Sequence, residues 1–166
     1  MTKKKNVIKL CLILGITVLI TIIICNIYRN YEGGKSNSSY ISKYVSTIQY
    51  NELSSAVTEL SGDTFLYLSY VGDKNIYDLE RQIKKELVSN ELQDNFIYVD
   101  GTSYINDKKE IAGLNKTLNV TTKSSIVLPA IIYFKDNVPE DYIDSSEYLF
   151  KVGSFEQLID KYELGK

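Results

Sequence analysis

The sequence predicts an α/β domain, with a central mixed sheet of four to five strands flanked by helices, that follows one N-terminal transmembrane helix. Three observations predict this architecture. Residues 7–27 form one apolar segment, later apolar runs have the length of buried strands, and amphipathic helical patterns alternate with those runs. The predicted parts are a cytoplasmic N-terminus at 1–6, a transmembrane helix at 7–27, a flexible tether at 28–43 and an exported domain at 44–166.

The transmembrane prediction rests on length and flanking charge. No charged residue lies between Leu10 and Cys25, and the segment approaches the ~20 residues that a helix needs to cross a bilayer. The three lysines at residues 3–5 predict a cytoplasmic N-terminus and a domain outside the membrane. A cleaved signal peptide and a lipoprotein lipidated at Cys25 are the alternatives. Both are less favoured, because Ile24 is not the small residue that either cleavage site needs.

Composition excludes several classes of function for the exported domain. From residue 32 onward, 21 acidic residues outnumber 14 basic ones, so this part carries about −7 and lacks the basic surface of a nucleic-acid-binding protein. The chain has no histidine, and its two cysteines, Cys11 and Cys25, both lie in the apolar segment. Zinc sites of cysteine and histidine, catalytic triads and cysteine nucleophiles are therefore excluded from the domain. We expect no metal and no cofactor.

The patterning predicts the order β-α-β-α-β, a variable helical link, then β-β-α. Apolar runs predict strands and helical periodicity predicts helices. The strands are expected at 45–48, 64–71, 95–100, 126–134 and 142–152, and the helices at 51–60, 75–89, 107–118 and from 154 to the C-terminus. Asn75 is expected to cap the second helix, and Ser154 with Gln157 to form a capping box on the last. Most tyrosines, including Tyr67, Tyr98 and Tyr133, are expected in the core.

This order resembles the thioredoxin-like fold superfamily over about residues 44–164. The run Thr64–Val71 resembles the strand that enters the active-site turn of that family, and the helix after Asn75 resembles the one that follows the turn. Leu128-Pro129-Ala130, followed by an apolar strand, is similar to the cis-proline strand of the family. A narrower resemblance is to the thioredoxin-like proteins that accompany bacteriocin transport in Gram-positive bacteria, which can carry an N-terminal membrane segment.

The sequence departs from that family at the active-site turn. Active thioredoxins carry C-x-x-C there, whereas this chain reads Gly72-Asp73-Lys74-Asn75. Thiol-disulfide exchange requires a thiolate, which none of these side chains supplies. We therefore expect a protein that is not an enzyme and has no catalytic residue.

The resemblance also implies where a ligand would bind. In the family, the loop before the cis-proline offers its backbone to an extended peptide. The candidate groove residues are Tyr70, Gly72, Asp73, Asn75, Leu128 and Pro129. For Pro129 the alternative is a proline that only shapes the start of a strand, and for the other residues it is a polar turn with a helix cap.

The favoured function is a redox-inactive binding module at the outer face of the membrane. Its partner would be an extended peptide or another protein, and peptide export is one setting. The alternatives are a thiol-disulfide accessory that relies on the cysteines of a partner, and a structural subunit of a membrane complex. Composition and pattern do not predict the oligomeric state.

Overall fold

The computed structural model describes residues 14–27, 37–121 and 125–165 of the chain. The first of these ranges belongs to one compact unit and the other two belong to a second unit. In the first unit, residues 14–27 form a helix, α1, whose side chains are exposed. No helix among the described residues is long and apolar enough to cross a membrane. The predicted transmembrane helix begins at residue 7, and its residues 7–13 lie outside the described residues, so it stays a prediction.

The second unit contains the five strands and the four helices that the sequence predicts. The strands are β1 (Ser46–Gln49), β2 (Asp63–Ser69), β3 (Phe96–Asp100), β4 (Ala130–Lys135) and β5 (Val138–Ile143). The helices are α2 (Leu53–Glu59), α3 (Lys74–Ser89), α4 (Lys108–Thr117) and α5 (Val152–Lys161). Their order along the chain confirms the predicted order, with α4 as the helical link.

The sheet is mixed, with the strand order β1-β3-β2-β4-β5. The strands β1, β3 and β2 run parallel, as expected of strands joined by helical crossovers. The strand β4 lies antiparallel to β2 and forms a hairpin with β5 at the edge. This arrangement confirms the predicted central mixed sheet with an antiparallel hairpin.

The core lies on both faces of the sheet, as the unbroken apolar run of β2 predicts. Alternate residues of β2 face opposite sides. Phe65 and Tyr67 join a cluster that contains residues of α3 and α5, while Leu66 and Leu68 join a cluster that contains residues of α2 and α4. The domain therefore has three layers. The predicted core tyrosines are confirmed, since the exposed fractions are 0% for Tyr67, 2% for Tyr98 and 1% for Tyr133.

The closing hairpin is tighter than the sequence predicts. The partner of β4 was expected at 142–152, but β5 begins at Val138, directly after a two-residue turn. That expectation was wrong because Asp136 and Asn137 both adopt positive φ, at 46° and 59°, the geometry of a type I′ hairpin. Pro139 fits β5 because an edge strand leaves one row of main-chain groups unpaired.

The start of α5 also differs from the prediction. The capping box of Ser154 and Gln157 is absent, and the helix begins at Val152 with Lys151 as an N-cap that makes no side-chain hydrogen bond. Phe150 and Phe155 flank this start at the spacing of a hydrophobic staple, and both are buried in the same core cluster. Apolar anchoring therefore sets the start of the helix. The helical periodicity predicts a buried stripe of Phe155, Leu158, Ile159 and Tyr162; the first three are buried, and Tyr162 is partly buried at the C-terminal end of the helix.

The domain begins earlier than the predicted boundary at residue 44. Ile41 to Lys43 form a 3-10 turn, and the side chain of Ile41 is fully buried in the core. The C-terminal part of the predicted tether, residues 37–43, therefore packs as part of the domain. Residues 28–36, the rest of that tether, lie outside the described residues.

Candidate functional site

The turn between β2 and α3 carries three of the six candidate groove residues, and a fourth, Asn75, lies in the first turn of α3. The strand ends at Ser69, and Tyr70 follows it, half-buried. Gly72 has a φ of 103°, which side-chain-bearing residues rarely adopt, so glycine permits the chain to turn here. The N–H of Val71 donates to Thr102 Oγ1 at 3.0 Å and ties the turn to the segment after β3.

The helix α3 is capped by Asp73 and not, as the sequence predicts, by Asn75. Asp73 has the extended backbone of an N-cap, and its Oδ1 accepts a hydrogen bond from the N–H of Asn75 at 2.7 Å. A carboxylate is favoured at this position because the helix N-terminus carries partial positive charge. Asn75 is exposed and lies inside the first turn of the helix.

The Leu128–Pro129 peptide bond is cis, as the resemblance implies, and both residues are buried. The strand expected at 126–134 begins only at Ala130, directly after Pro129. The preceding segment is held by the residues that follow β5. The N–H of Val127 donates to Asp144 Oδ2 at 3.2 Å, and the N–H of Ser145 donates to the Val127 oxygen at 3.1 Å. The Ser145 hydroxyl donates to the Pro129 oxygen at 2.9 Å.

Leu128 differs from its two neighbours in this segment. Its main-chain N–H and C=O form no hydrogen bond with the described residues. Its side chain packs towards Gly101, the residue that follows β3. The N–H of Gly101 in turn donates to the Ser69 oxygen at 2.7 Å. Gly101 therefore contacts both the end of β2 and the segment before Pro129.

A cleft of about 470 Å³ lies beside the start of α3. Asn75 and Leu79 form one wall, and the segment Leu149–Gly153 forms the other together with Glu156. Leu79 and Phe150 supply buried apolar surface, and Asn75 places an amide at the rim. Asn75 is thus the candidate residue that faces this cleft, while Tyr70, Gly72 and Asp73 lie in the turn.

The electrostatics of the turn favour a neutral phenol. Partial burial, and then the nearby carboxylate of Asp73, raise the pKa of Tyr70 above its ordinary value. The Tyr70 hydroxyl therefore stays protonated at neutral pH and can donate a hydrogen bond.

The turn has no thiol, so this site cannot exchange disulfides by itself. Cys25 lies in the first unit, where it is exposed, and Cys11 lies outside the described residues. Within residues 14–27, 37–121 and 125–165, no three Cys, His, Asp or Glu side chains are grouped as metal ligands would be.

Sequence reasoning missed several residues that build the site. They are Gly101 and Thr102 after β3, Asp144 and Ser145 after β5, and the Leu149–Gly153 wall of the cleft. A glycine directly after an apolar strand was the only signal for Gly101. Thr102 had no signal of its own, and the positions of Asp144, Ser145 and Leu149–Gly153 depend on where β5 and α5 begin, which the sequence prediction misplaced.

The comparisons with solved structures show the fold. The crystal structure of thioredoxin f2 from Chlamydomonas reinhardtii superposes with a TM-score of 0.51 at 10% identity, over 74% of this chain and 99% of that one. The fold is thioredoxin-like. Mitochondrial thioredoxin 3 from Saccharomyces cerevisiae aligns at 11% identity over 73% of this chain and 98% of that one, with a TM-score of 0.49. Thioredoxin O2 from Arabidopsis thaliana aligns at 13% identity over 75% and 97%, with a TM-score of 0.48.

No protein-family model and no curated protein matches the sequence. At these identities the structural similarity extends to the thioredoxin-like fold alone. Within that fold, β2 leads into the turn at residues 70–73, and α3 follows it, as the resemblance implies.

Proposed function

We propose that this protein is a redox-inactive, membrane-anchored binding module that grips an extended peptide, or an extended segment of a partner protein, at the outer face of the membrane. Peptide export is the setting we favour. The observation that carries the proposal is the main chain of Leu128. Its N–H and C=O have no hydrogen-bond partner among the described residues, although its neighbours on both sides are held in place.

A ligand in extended conformation supplies the complementary groups. One residue of a peptide strand offers a C=O and an N–H, which can pair with the N–H and C=O of Leu128 as an added strand does. Each such bond stabilises a complex by only about 0.5–1.5 kcal/mol. Two backbone bonds therefore position a ligand without giving it sequence selectivity.

In this proposal the cleft beside the start of α3 supplies selectivity. Its volume of about 470 Å³ lies within the range of roughly 300–1,000 Å³ that is typical of ligand sites. Its apolar lining includes the partly exposed Leu149 and Val152 beside Leu79 and Phe150, so an apolar side chain of the ligand fits it. Asn75 and the Tyr70 hydroxyl offer polar contacts near the same helix start.

The absence of a thiol at the turn supports binding without redox chemistry. The fold supplies the strand, the turn and the proline segment, and the sequence places Gly-Asp-Lys-Asn where disulfide exchange would need cysteine. The membrane anchor in the proposal is the apolar segment 7–27, with the lysines at 3–5 directing the domain outward.

Photo-crosslinking of the full chain in its membrane tests the proposal. A photoreactive residue replaces Val127, which is 41% exposed and precedes Leu128, or Val138, which is 50% exposed and begins β5. We expect adducts from position 127, with Val138 as the matched control that gives none. Adducts should persist in a variant with Cys11 and Cys25 replaced by serine.

Two results would count against the proposal. Equal adduct yields from positions 127 and 138 would show no preference for the proline segment. Loss of the adducts when both cysteines are replaced would favour the thiol-dependent accessory instead.

A further inference from the structure

One carboxyl group lies inside the domain core and holds the segment through which the chain enters the domain. Glu80 on α3 is 1% exposed. Its Oε2 accepts hydrogen bonds from the Ser39 hydroxyl at 2.9 Å and from the N–H groups of Tyr40 and Ile41 at 2.5 Å and 3.2 Å. Burial of these polar groups costs free energy unless they are hydrogen-bonded, so Glu80 and the entering segment stabilise each other.

The segment contacts α3 at three points along one face of the helix. Residues 77, 80 and 84 of α3 are spaced three and four apart, so they line a single stripe. The Tyr40 ring meets the Tyr77 ring edge-on at 5.4 Å between centroids, and Lys84 Nζ lies 5.1 Å from the centroid of the Tyr44 ring. We call residues 39–44 the latch segment.

The surroundings of Glu80 include two tyrosine hydroxyls and one further carboxyl group. Its Oε1 is buried and has no hydrogen-bond partner among the described residues, and the same is true of the Tyr67 and Tyr98 hydroxyls. Both of these tyrosines and Asp100 interact electrostatically with Glu80. Lys84, one turn along α3, places its ammonium over the Tyr44 ring. Glu80 makes no ion pair with a described residue, so nothing described there neutralises a negative charge.

We propose that the latch segment docks on α3 when Glu80 is protonated and is released when Glu80 ionises. This inference does not depend on the proposed function. Release would free six residues, which adds up to roughly 20 Å of extended chain to the connection that precedes the domain. The latch segment thus sets the length of unpacked chain that precedes the domain.

The direction of the pH effect follows from burial. Burial raises the pKa of Glu80, the hydrogen bonds from Ser39, Ile41 and Tyr40 oppose that rise, and Asp100 adds to it. Since the pKa is higher when the latch is docked than when Glu80 is in water, docking takes up a proton. Docking is therefore strongest below the ordinary pKa of a glutamate and weakens as the pH rises through the raised value.

A single tryptophan can report the docked state, because the chain contains none. The full chain in detergent micelles carries Tyr44→Trp, alone or with Glu80→Gln, Glu80→Leu or Glu59→Gln. Its emission is followed from about pH 4 to about pH 8. With native Glu80 we expect the tryptophan emission to shift to longer wavelength as the pH is raised, in a single titration step. Glu80→Gln stays neutral and keeps the acceptor oxygen, so its emission should remain at the docked value throughout.

The remaining variants serve as references. Glu80→Leu removes the acceptor and should show the released emission at every pH, with circular dichroism confirming that it folds. Glu59, on the exposed surface of α2, is a matched carboxyl control, and its replacement should leave the transition unchanged. The proposal is overturned if the emission with native Glu80 does not change with pH, if Glu80→Gln keeps the transition, or if Glu80→Gln is released at every pH. The comparison of native Glu80 with Glu80→Gln tests whether ionisation of Glu80 releases the latch segment, even if Glu80→Leu does not fold.

Discussion

Gly101 lies against Leu128 so closely that a β-carbon at residue 101 would be 3.0 Å from Leu128 Cδ1 and 3.2 Å from the Ser69 main-chain oxygen. Both distances are shorter than ordinary van der Waals contacts. The absence of a side chain at Gly101 therefore permits the end of β2 and the segment before Pro129 to approach each other. This contact offers a way to perturb the proposed binding segment without changing a residue that would touch the ligand.

Gly101→Ala should destabilise the domain and displace Leu128. The added methyl must push aside the tip of the Leu128 side chain or the main chain at Ser69, and overpacking of this kind typically costs about 1–3 kcal/mol. Equilibrium urea unfolding of the full chain in a mild detergent, followed by circular dichroism, measures the loss. Amide chemical shifts at residues 126–130 would reveal the displacement.

Gly113→Ala is the matched control. Gly113 lies within α4, and a β-carbon there would meet nothing within 4 Å. Alanine inside a helix is favoured over glycine by about 0.5–1 kcal/mol, so this variant should be more stable than the parent. Equal effects of the two alanine variants would show that the close approach at Gly101 is not the cause.

Asp73→Ala should destabilise α3 by about 1 kcal/mol, because it removes the side chain that accepts a hydrogen bond from the Asn75 N–H. Asn75→Ala should cost less, since Asn75 lies inside the helix and alanine favours that position. Urea midpoints of the two variants rank them. The reverse ranking would restore Asn75 as the cap that the sequence predicts.

Two buried tyrosines should respond differently to loss of the hydroxyl. The Tyr133 hydroxyl donates to the Asp63 carboxylate, so Tyr133→Phe should cost about 1.5–3 kcal/mol of unfolding free energy. The Tyr67 hydroxyl is buried without a hydrogen-bond partner among the described residues, and Tyr67→Phe should cost clearly less. Thermal unfolding of both variants at neutral pH makes the comparison. Equal losses would imply a partner for Tyr67 that the structure does not describe.

Phe155→Ala should be among the most damaging core substitutions, at about 3–5 kcal/mol. Its ring is fully buried and packs edge-on against Phe65 and Phe96, with centroids 5.2 Å and 5.7 Å away. Tyr148→Ala is the exposed control, because its side chain is 67% exposed and surface changes usually stay within about 0.5 kcal/mol. Denaturant titration of the two variants checks the contrast. A small loss for Phe155→Ala would contradict the described packing of α5.

The sheet could be predicted because burial on both faces leaves a simple pattern. Residues 65–68 of β2 and residues 130–134 of β4 are all apolar or aromatic, and the lengths of these runs suit strands covered by helices on both sides. Pro129 was expected near the start of this strand because proline cannot donate within a central ladder, but the strand was expected to begin at residue 126 and begins at Ala130.

The features that were mispredicted depend on contacts between distant residues or on unusual backbone geometry. The short hairpin requires positive φ at Asp136 and Asn137, which the sequence permits but does not demand. The start of α5 follows from the burial of Phe150, and the domain boundary from the pairing of Ser39 with Glu80, 41 residues away. The contact of Gly101 with Leu128 likewise becomes visible only once β3 and the proline segment are placed together.

The most direct test of the proposed function is a selection of extended peptides from a random library by the full chain in lipid nanodiscs, repeated under reducing conditions. We expect selected peptides to bind the parent chain and the Gly113→Ala variant equally, with or without reductant. Binding to Gly101→Ala should be at least about tenfold weaker, which corresponds to the loss of about 1.4 kcal/mol. Selected peptides that bind Gly101→Ala as tightly as the parent would contradict binding through the main chain of Leu128. Selected peptides that bind only without reductant would contradict binding that is independent of thiols.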